Sequence, residues 1–169
     1  RSRQEVAEGL LARFGLAPAA AARAGELGAA TPWEAFVTLR LRRYDAMLAD
    51  DGLLRAQRIP ATIALLARVR TEGYRTGMTT MSDRAHAGLI LAALGLSDAF
   101  EVLITPGDVA AGKPAPDMYL AVCDRLHLAP RECVALEDSV AGIRSAVAAG
   151  VACIAVPTYL TLAAVRRAK

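Results

Sequence analysis

The stretch CVALEDSVAGIRSAVAAGVACIAV, residues 133–156, carries the pattern that decides the fold of this chain. It opens with an apolar run, Cys133–Leu136, which predicts a strand and leads directly into the acidic pair Glu137-Asp138. A helix is predicted next, up to Gly150, and a second apolar run, Val151–Val156, predicts another strand. A strand, a helix and a strand of these lengths predict parallel pairing through a right-handed crossover.

The same alternation of strands and helices extends upstream to about residue 59. Strands are predicted at Tyr74–Thr80 and Phe100–Thr105, and helices at about 60–72, 84–94 and 117–128. Gly73 and Gly95 follow two of these helices, as glycine commonly does at a helix end. We therefore expect an α/β core in residues 59–169, with its strands in a parallel sheet.

Residues 1–58 differ from the core, because the sequence pattern there predicts helices only. An apolar periodicity from Gln4 to Phe14 predicts one helix. Thr31 followed by Pro32 predicts the start of another, with the threonine as N-cap. We expect a helical domain at 1–58 that is distinct from the α/β core.

Polar side chains follow three of the predicted strands at their carboxyl ends, where open parallel sheets bind ligands. The segment Thr80-Met81-Ser82 follows the first strand, Lys113 lies in the loop after the second, and Glu137-Asp138 follows the third. Asp138 offers the oxygen ligands that Mg²⁺ requires, whereas Thr80 and Lys113 can donate to phosphate oxygens. These clusters predict a site for a phosphate group held against a divalent cation.

Two charged residues near these clusters are expected to have other roles. Asp117 starts the helix after the lysine loop, and we expect it to serve that helix start and to brace Lys113. Arg84 lies just past the threonine segment, where it could contact substrate or face solvent, and we favour solvent.

Three segments of the core resemble successive motifs of the haloacid-dehalogenase-like hydrolase superfamily, closest to its β-phosphoglucomutase and phosphoglycolate-phosphatase-like branch. They are Gly77–Ser82, Gly112–Tyr119 and Leu136–Ile143, and their order and spacing agree with the family over roughly residues 60–157. The helical front part resembles the small cap domain of that branch. The resemblance implies a Rossmann-like parallel sheet in the core and a partial helical cap at 1–58.

The resemblance also implies a two-step phosphoryl transfer. An aspartate on the first strand of the core becomes an aspartyl-phosphate, and a second aspartate acts as general acid and base. The segment Thr80-Met81-Ser82 would hold the transferring phosphoryl group. Lys113 would neutralise its charge, and Asp138 with Glu137 would complete a Mg²⁺ site. Arg3 resembles an arginine of the cap that reaches the phosphate of the substrate.

The first motif of the family, D-x-D-G-[TS] after an apolar strand, is absent from these 169 residues. Asp50-Asp51-Gly52 is the only similar segment, but it follows a predicted helix, and we expect a loop between helices there. In the family the missing strand lies between the Tyr74–Thr80 and Cys133–Leu136 strands, and its loss would leave strand edges unpaired. We expect the chain to lack turnover, and to be poorly stable or aggregated unless another segment fills the gap. The absence of an initial Met favours a trimmed chain.

Several functions fit these residues. A phosphatase of small phosphorylated metabolites, such as sugar phosphates or phosphoglycolate, is the function we favour, and a sugar-phosphate mutase is the first alternative. A phosphorelay receiver domain has its acids first, then the hydroxyl, then the lysine, whereas the order here is Thr80, Lys113, Asp138. A binding or regulatory relative that lost its nucleophile by descent is a further alternative.

Composition excludes several other classes of protein. The chain is 54% hydrophobic and 22% charged, as expected of a globular protein with a sizeable core. Its net charge is only +3, and the basic clusters Arg40–Arg43 and Arg166–Lys169 have no interleaved aromatic residues, so we expect no nucleic-acid partner. Cys123, Cys133 and Cys153 have neither metal-ligand nor redox spacing, which predicts free thiols. With no signal peptide or membrane span in view, we expect a cytoplasmic protein. We further expect a monomer or a weak homodimer.

Overall fold

The computed structural model describes residues 2–156, 158 and 161–163. These residues divide into two compact units, one up to Ala56 and one from Gln57 onward. The division falls close to the boundary predicted at residue 58, and the role of the first unit as a cap stays a prediction. The basic segment Arg166–Lys169 lies outside the described residues.

The first unit consists of four helices, α1 (Arg3–Phe14), α2 (Ala17–Ala22), α3 (Pro32–Leu48) and α4 (Asp51–Ala56). Two of them, α1 and α3, begin with a reciprocal cap, in which Ser2 or Thr31 exchanges hydrogen bonds with the glutamate three residues later. The other three helices pack against α3. The buried residues of the unit are few and mostly small: Ala7, Leu11, Ala20, Ala35 and Leu48.

The segment Asp50-Asp51-Gly52 is not wholly the predicted loop. Asp51 and Gly52 belong to the first turn of α4. Asp50 accepts a hydrogen bond from the backbone N–H of Leu53 at 2.9 Å, as an N-cap aspartate does. The loop prediction failed there because an aspartate before a run of good helix formers begins a helix. No strand precedes the segment, since α3 runs up to Leu48.

The second unit shows the predicted alternation of helices and strands. Its elements are α5 (Pro60–Thr71), β1 (Gly77–Thr79), α6 (Arg84–Leu94), β2 (Val102–Ile104), α7 (Asp117–Arg125), β3 (Val134–Glu137), α8 (Val140–Ala148) and β4 (Ala152–Ala155). Strands β1, β2 and β4 are shorter than predicted, and β3 extends one residue further to include Glu137. None of the helices in the described residues is long and apolar enough to cross a bilayer.

The strands are parallel, which confirms the α/β class, but they pair in two separate sheets. Strand β1 pairs with β2 and β3 pairs with β4, with Gly77 opposite Val102 and Val134 opposite Ala152. Among the described residues, β1 and β3 are not hydrogen-bonded to one another. This is the arrangement expected where the strand predicted to lie between them is absent from the chain.

Helix α7 packs against both strand pairs. Its residues Met118 and Val122 belong to a buried cluster with Val102 and Ile104 of β2. On a neighbouring side of the same helix, Tyr119 and Cys123 join a second cluster, with Ala135, Ala146, Ala149 and Val151. Because α7 follows the lysine loop directly, this packing fixes the position of the loop relative to both sheets.

The three cysteines are free, as predicted, but two of them are close together. The separation of Cys123 and Cys133 in the sequence is not that of a redox motif, yet their sulfur atoms lie 3.7 Å apart. Burial raises the pKa of the Cys123 thiol to about 11. The Cys123 thiol is therefore protonated at neutral pH, which disfavours nucleophilic chemistry at that residue.

Candidate functional site

A pocket of about 410 Å³ opens at the carboxyl ends of β1 and β3. The predicted site residues among its lining are Thr80, Met81, Lys113, Glu137 and Asp138; the others are Ile59, Thr62, Thr79, Leu136, Ser139, Val156 and Thr158. All three predicted clusters thus meet in one place. Ser82 does not line the pocket, and Arg3 is exposed on α1 of the first unit, where its predicted role stays a prediction.

Thr80 is held at the end of β1 by the neighbouring strand. Its backbone N–H donates to the carbonyl oxygen of Ile104 at 3.0 Å, which continues the pairing of β1 with β2. Its hydroxyl oxygen accepts the backbone N–H of Ser82 at 3.1 Å. The hydroxyl proton stays available for donation into the pocket. Ser82 therefore serves the site through its backbone, in orienting Thr80.

Lys113 is the buried cation of the site. Its side chain is 9% exposed, and its ammonium forms an ion pair with Oε1 of Glu137. The ammonium also donates to the carbonyl oxygen of Thr79 at 3.4 Å. A lysine ammonium has three donors, so two directed contacts leave one N–H for a ligand in the pocket.

The loop that carries Lys113 is anchored at two points. The hydroxyl of Ser145, on α8, donates to the carbonyl oxygen of Ala115 at 2.5 Å. Asp117 accepts the backbone N–H of Ala111 at 3.1 Å, and so it closes the loop on itself. Asp117 thus starts α7 as predicted, but it holds the loop backbone instead of the lysine side chain.

Glu137 has its carboxylate buried beside Lys113, with the side chain 7% exposed. Its Oε1 atom accepts hydrogen bonds from the Lys113 ammonium and from the Tyr119 hydroxyl, the latter at 2.5 Å. Its Oε2 atom accepts the Ser139 hydroxyl at 3.4 Å. With Oε1 taken by two donors, Glu137 is placed to hold the lysine.

Tyr119 was not predicted to take part in the site. Its side chain is buried, and burial together with its hydrogen bond to Glu137 raises the pKa of the phenol well above its usual range. Its ring centroid lies 5.3 Å from the Lys113 Nζ atom, within cation–π range. No sequence pattern indicated this role, because a tyrosine in a helix is equally typical of core packing.

Asp138 differs from its neighbour in being exposed. Within the described residues its side chain makes no hydrogen bond or ion pair. No three His, Cys, Asp or Glu side chains of the described part of the chain lie close enough together to hold a metal ion. Asp138 therefore fits Mg²⁺ as a single carboxylate ligand, to be completed by water and by oxygen ligands from elsewhere.

Sequence reasoning also missed the contribution of α5 to the pocket. Ile59 and Thr62, at the start of that helix, line it. Pro60 at the first helical position predicted the start of α5, but the sequence pattern did not indicate that the N-terminal end of this helix faces the pocket.

Arg84 is exposed to solvent, as predicted, but its guanidinium is also paired. Its guanidinium donates to both carboxylate oxygens of Asp108, at 2.9 and 2.7 Å, and to the carbonyl oxygen of Leu103 at 3.1 Å. The sequence could not indicate this ion pair, because Asp108 lies 24 residues away and only the parallel pairing of β1 with β2 brings α6 beside it. Arg84 thus ties the start of α6 to the turn after β2.

Comparison with proteins of known sequence and structure agrees with these motifs. CbbY of Rhodobacter capsulatus is 36% identical over 127 residues, which cover 72% of this chain and 54% of that protein. Hexitol phosphatase A of Escherichia coli is 41% identical and β-phosphoglucomutase of Bacillus subtilis 33%, each over 98 residues, or 58% of this chain and 45% and 42% of those proteins. The chain thus spans about half the length of the curated relatives it matches.

The fold is similar to that of solved members of the same group. CbbY of Rhodobacter sphaeroides, solved in complex with phosphate, superposes with a TM-score of 0.64 at 29% identity, over 79% of this chain and 59% of that one. A family model described as haloacid dehalogenase-like hydrolase matches residues 4–150. The chain therefore belongs to the haloacid dehalogenase-like hydrolase family.

Proposed function

We propose that this chain supplies the phosphate-holding part of a Mg²⁺-dependent phosphatase for small phosphorylated metabolites. The observation that carries the proposal is the buried Lys113 ammonium, fixed by Glu137 in the pocket that Thr80 and Asp138 also line. A fixed cation, a hydroxyl donor and a free carboxylate are the groups that a phosphoryl group and a divalent cation need.

Lys113 acts as the electrostatic anchor for the phosphoryl group. Two of its three N–H bonds are directed to Glu137 and to the Thr79 carbonyl, so the third can donate to a phosphoryl oxygen. Because the ion pair is buried, the ammonium is already oriented before the ligand arrives. Such preorganised donors account for much of the stabilisation of charge in phosphoryl transfer.

Thr80 and Asp138 complete what the chain offers. The Thr80 hydroxyl donates to a second phosphoryl oxygen, while its own oxygen stays fixed by the Ser82 N–H. Asp138 would hold Mg²⁺, which would supply neutralisation of negative charge on the phosphoryl oxygens. Glu137 is less suited as a direct ligand, because Lys113 and Tyr119 both donate to its Oε1 atom.

The reaction itself needs a nucleophile that these residues do not include. No D-x-D-G-[TS] segment occurs in the 169 residues, so we expect the chain to bind phosphate without hydrolysing esters. For an enzyme that carries the nucleophile motif together with the residues of this chain, we propose that an aspartate attacks the phosphoryl group and forms an aspartyl-phosphate intermediate.

A sugar-phosphate mutase is the second candidate, and the similarity to β-phosphoglucomutase supports it. The two reactions share the phosphate-holding groups and differ in whether the phosphoenzyme passes its phosphoryl group to water or to a sugar hydroxyl. A form of the protein that includes the nucleophile motif, assayed with glucose 1-phosphate and with phosphoglycolate, would discriminate between them.

Binding of inorganic phosphate in the presence of MgCl₂, measured by calorimetry, tests the phosphate site. We expect Lys113→Met to weaken phosphate binding by about tenfold or more, since it removes a charge-assisted hydrogen bond. Arg131→Met, which removes an exposed cation that does not line the pocket, is the control and should leave binding unchanged. Absence of phosphate binding, or equal weakening by both variants, would refute the proposal.

A further inference from the structure

We infer that Tyr119 is a positioning residue of the phosphate site, which sets the orientation of the Lys113 ammonium through Glu137. The inference rests on the proposed function, since it concerns the same lysine. It assigns to Tyr119 a role beyond its packing in the core.

Tyr119 contacts the lysine–glutamate pair in two ways. Its hydroxyl donates to Oε1 of Glu137 at 2.5 Å, and this is the oxygen that the Lys113 ammonium also contacts. The face of its ring lies 5.3 Å from the same ammonium. The tyrosine therefore restricts the direction from which Glu137 can accept a further hydrogen bond, and it restricts the position of the Lys113 ammonium.

The tyrosine itself is firmly held. It is 8% exposed and packs in a cluster with Cys123 and Ala135, and its backbone N–H donates to the carbonyl oxygen of Pro116 at 3.0 Å. A group that is fixed by packing can fix its hydrogen-bonding partner in turn. By contrast, Lys113 reaches the site on a long flexible side chain from a loop, so its position depends on such partners.

Removal of the hydroxyl alone should loosen this arrangement. Without Tyr119 as a second donor, Oε1 of Glu137 can turn further towards Lys113 and draw in the N–H that faces the pocket. Phenylalanine keeps the ring and most of the packing. Tyr119→Phe therefore separates positioning from core packing.

The two lysines of the chain allow a direct measurement by NMR. In the chain labelled with ¹³Cε-lysine, Lys113 gives one signal and Lys169 the other, which is an internal reference. We expect the Lys113 signal to move in Tyr119→Phe and its affinity for inorganic phosphate to fall by about three- to tenfold. Tyr74→Phe, at a tyrosine that is 65% exposed, should change neither quantity.

A double variant shows whether Tyr119 acts through the lysine. If it does, Tyr119→Phe should have no further effect on phosphate affinity when Lys113 is already methionine. A full additional loss in the double variant, or an unmoved Lys113 signal in the single variant, would overturn the inference. A fall in melting temperature with an unmoved signal would likewise identify Tyr119 as a packing residue only.

These experiments distinguish failure of the inference about Tyr119 from failure of the proposed function. If the unsubstituted chain binds no phosphate, the proposed function fails, and the shift of the Lys113 signal still decides the role of Tyr119. If Tyr119→Phe does not fold, the unsubstituted chain decides it: a nuclear Overhauser effect between the Tyr119 ring and the Lys113 ε-protons supports positioning, and its absence overturns it.

Discussion

A Cβ atom on Gly142 would lie 1.9 Å from Oε2 of Glu137. The glutamate carboxylate therefore occupies the space that any larger residue at position 142 would need. Gly142 lies in the first turn of α8, whose cap is the Ser139 hydroxyl, and the positive end of a helix dipole favours a carboxylate there. Glycine at this position allows Glu137 to be both buried and close to the helix start.

Gly142→Ala should accordingly displace Glu137 and with it Lys113. We expect a loss of about 1–3 kcal/mol in the free energy of unfolding from overpacking, together with weaker phosphate binding. Urea denaturation and calorimetry measure the two effects. Gly88→Ala is the control, because Gly88 is exposed in α6 with nothing within 4 Å of an added Cβ. That change should stabilise the chain by about 0.5–1 kcal/mol. Equal behaviour of the two variants would contradict the close approach.

The buried ion pair predicts a compensating double variant. Lys113→Met leaves the Glu137 carboxylate buried without its cation, which should cost about 3–5 kcal/mol of stability. Adding Glu137→Gln removes that uncompensated charge and keeps an acceptor for Tyr119. The double variant should therefore be more stable than Lys113→Met alone, as judged by denaturant midpoints. If the second substitution only adds to the loss, the carboxylate is not the source of the cost.

Asp108 predicts a stability effect that depends on pH. Hydrogen bonds from the backbone and hydroxyl of Thr105, with the charge of Arg84, lower the pKa of Asp108 from 3.8 to about 2. A carboxyl whose pKa is lowered by folding contributes stability above its unfolded pKa and loses it as the pH falls towards the folded value. Asp108→Asn should therefore lower the melting temperature at pH 6, and the difference from the unsubstituted chain should shrink between about pH 4 and pH 2.

The control for this prediction is Asp124→Asn, at an exposed carboxyl on α7. It should show little difference in melting temperature at either pH. A difference for Asp108→Asn that stays constant from pH 6 to pH 2 would mean that the ionised form of Asp108 has no special stabilisation.

The sequence predicted which residues come together at one pocket better than it predicted how the strands pair. Thr80, Lys113 and Asp138 could be found because parallel strands end at a common edge and each strand was marked by an apolar run. The pairing of these strands in two sheets depends on hydrogen bonds between distant segments, which apolar runs do not specify. Local patterns therefore placed the residues at the correct strand ends without giving the strand partners.

The partners of individual charged side chains could not be predicted either, because they too depend on contacts between segments that are distant in the sequence. The sequence placed Glu137 beside Asp138. Whether its carboxylate faces a metal ion or the Lys113 ammonium depends on the packing of α7 and α8 around it. Arg84 and Asp108 meet only because β1 and β2 are neighbours. Tyr119 looked like a core residue, which it also is.

The sheet of β3 and β4 has an apolar face that is exposed to solvent. Leu136 and Ile154 are paired in register and are 42% and 55% exposed, and Val134, two residues before Leu136 on the same face, is 61% exposed. Parallel strands are ordinarily buried on both faces, so a bare face of this kind favours association. We therefore predict that the chain on its own self-associates at micromolar concentration and binds an apolar fluorescent dye.

Replacing part of this face should reverse both properties. Val134→Thr combined with Ile154→Thr keeps β-branched residues in the strands while making the face more polar, so folding should be retained. We expect less dye fluorescence and a sedimentation profile shifted towards monomer. Leu89→Thr, at a residue of α6 that is 55% exposed and belongs to neither sheet, should change neither measurement. A monomeric parent chain that melts in one cooperative transition without binding the dye would show that this face does not drive association.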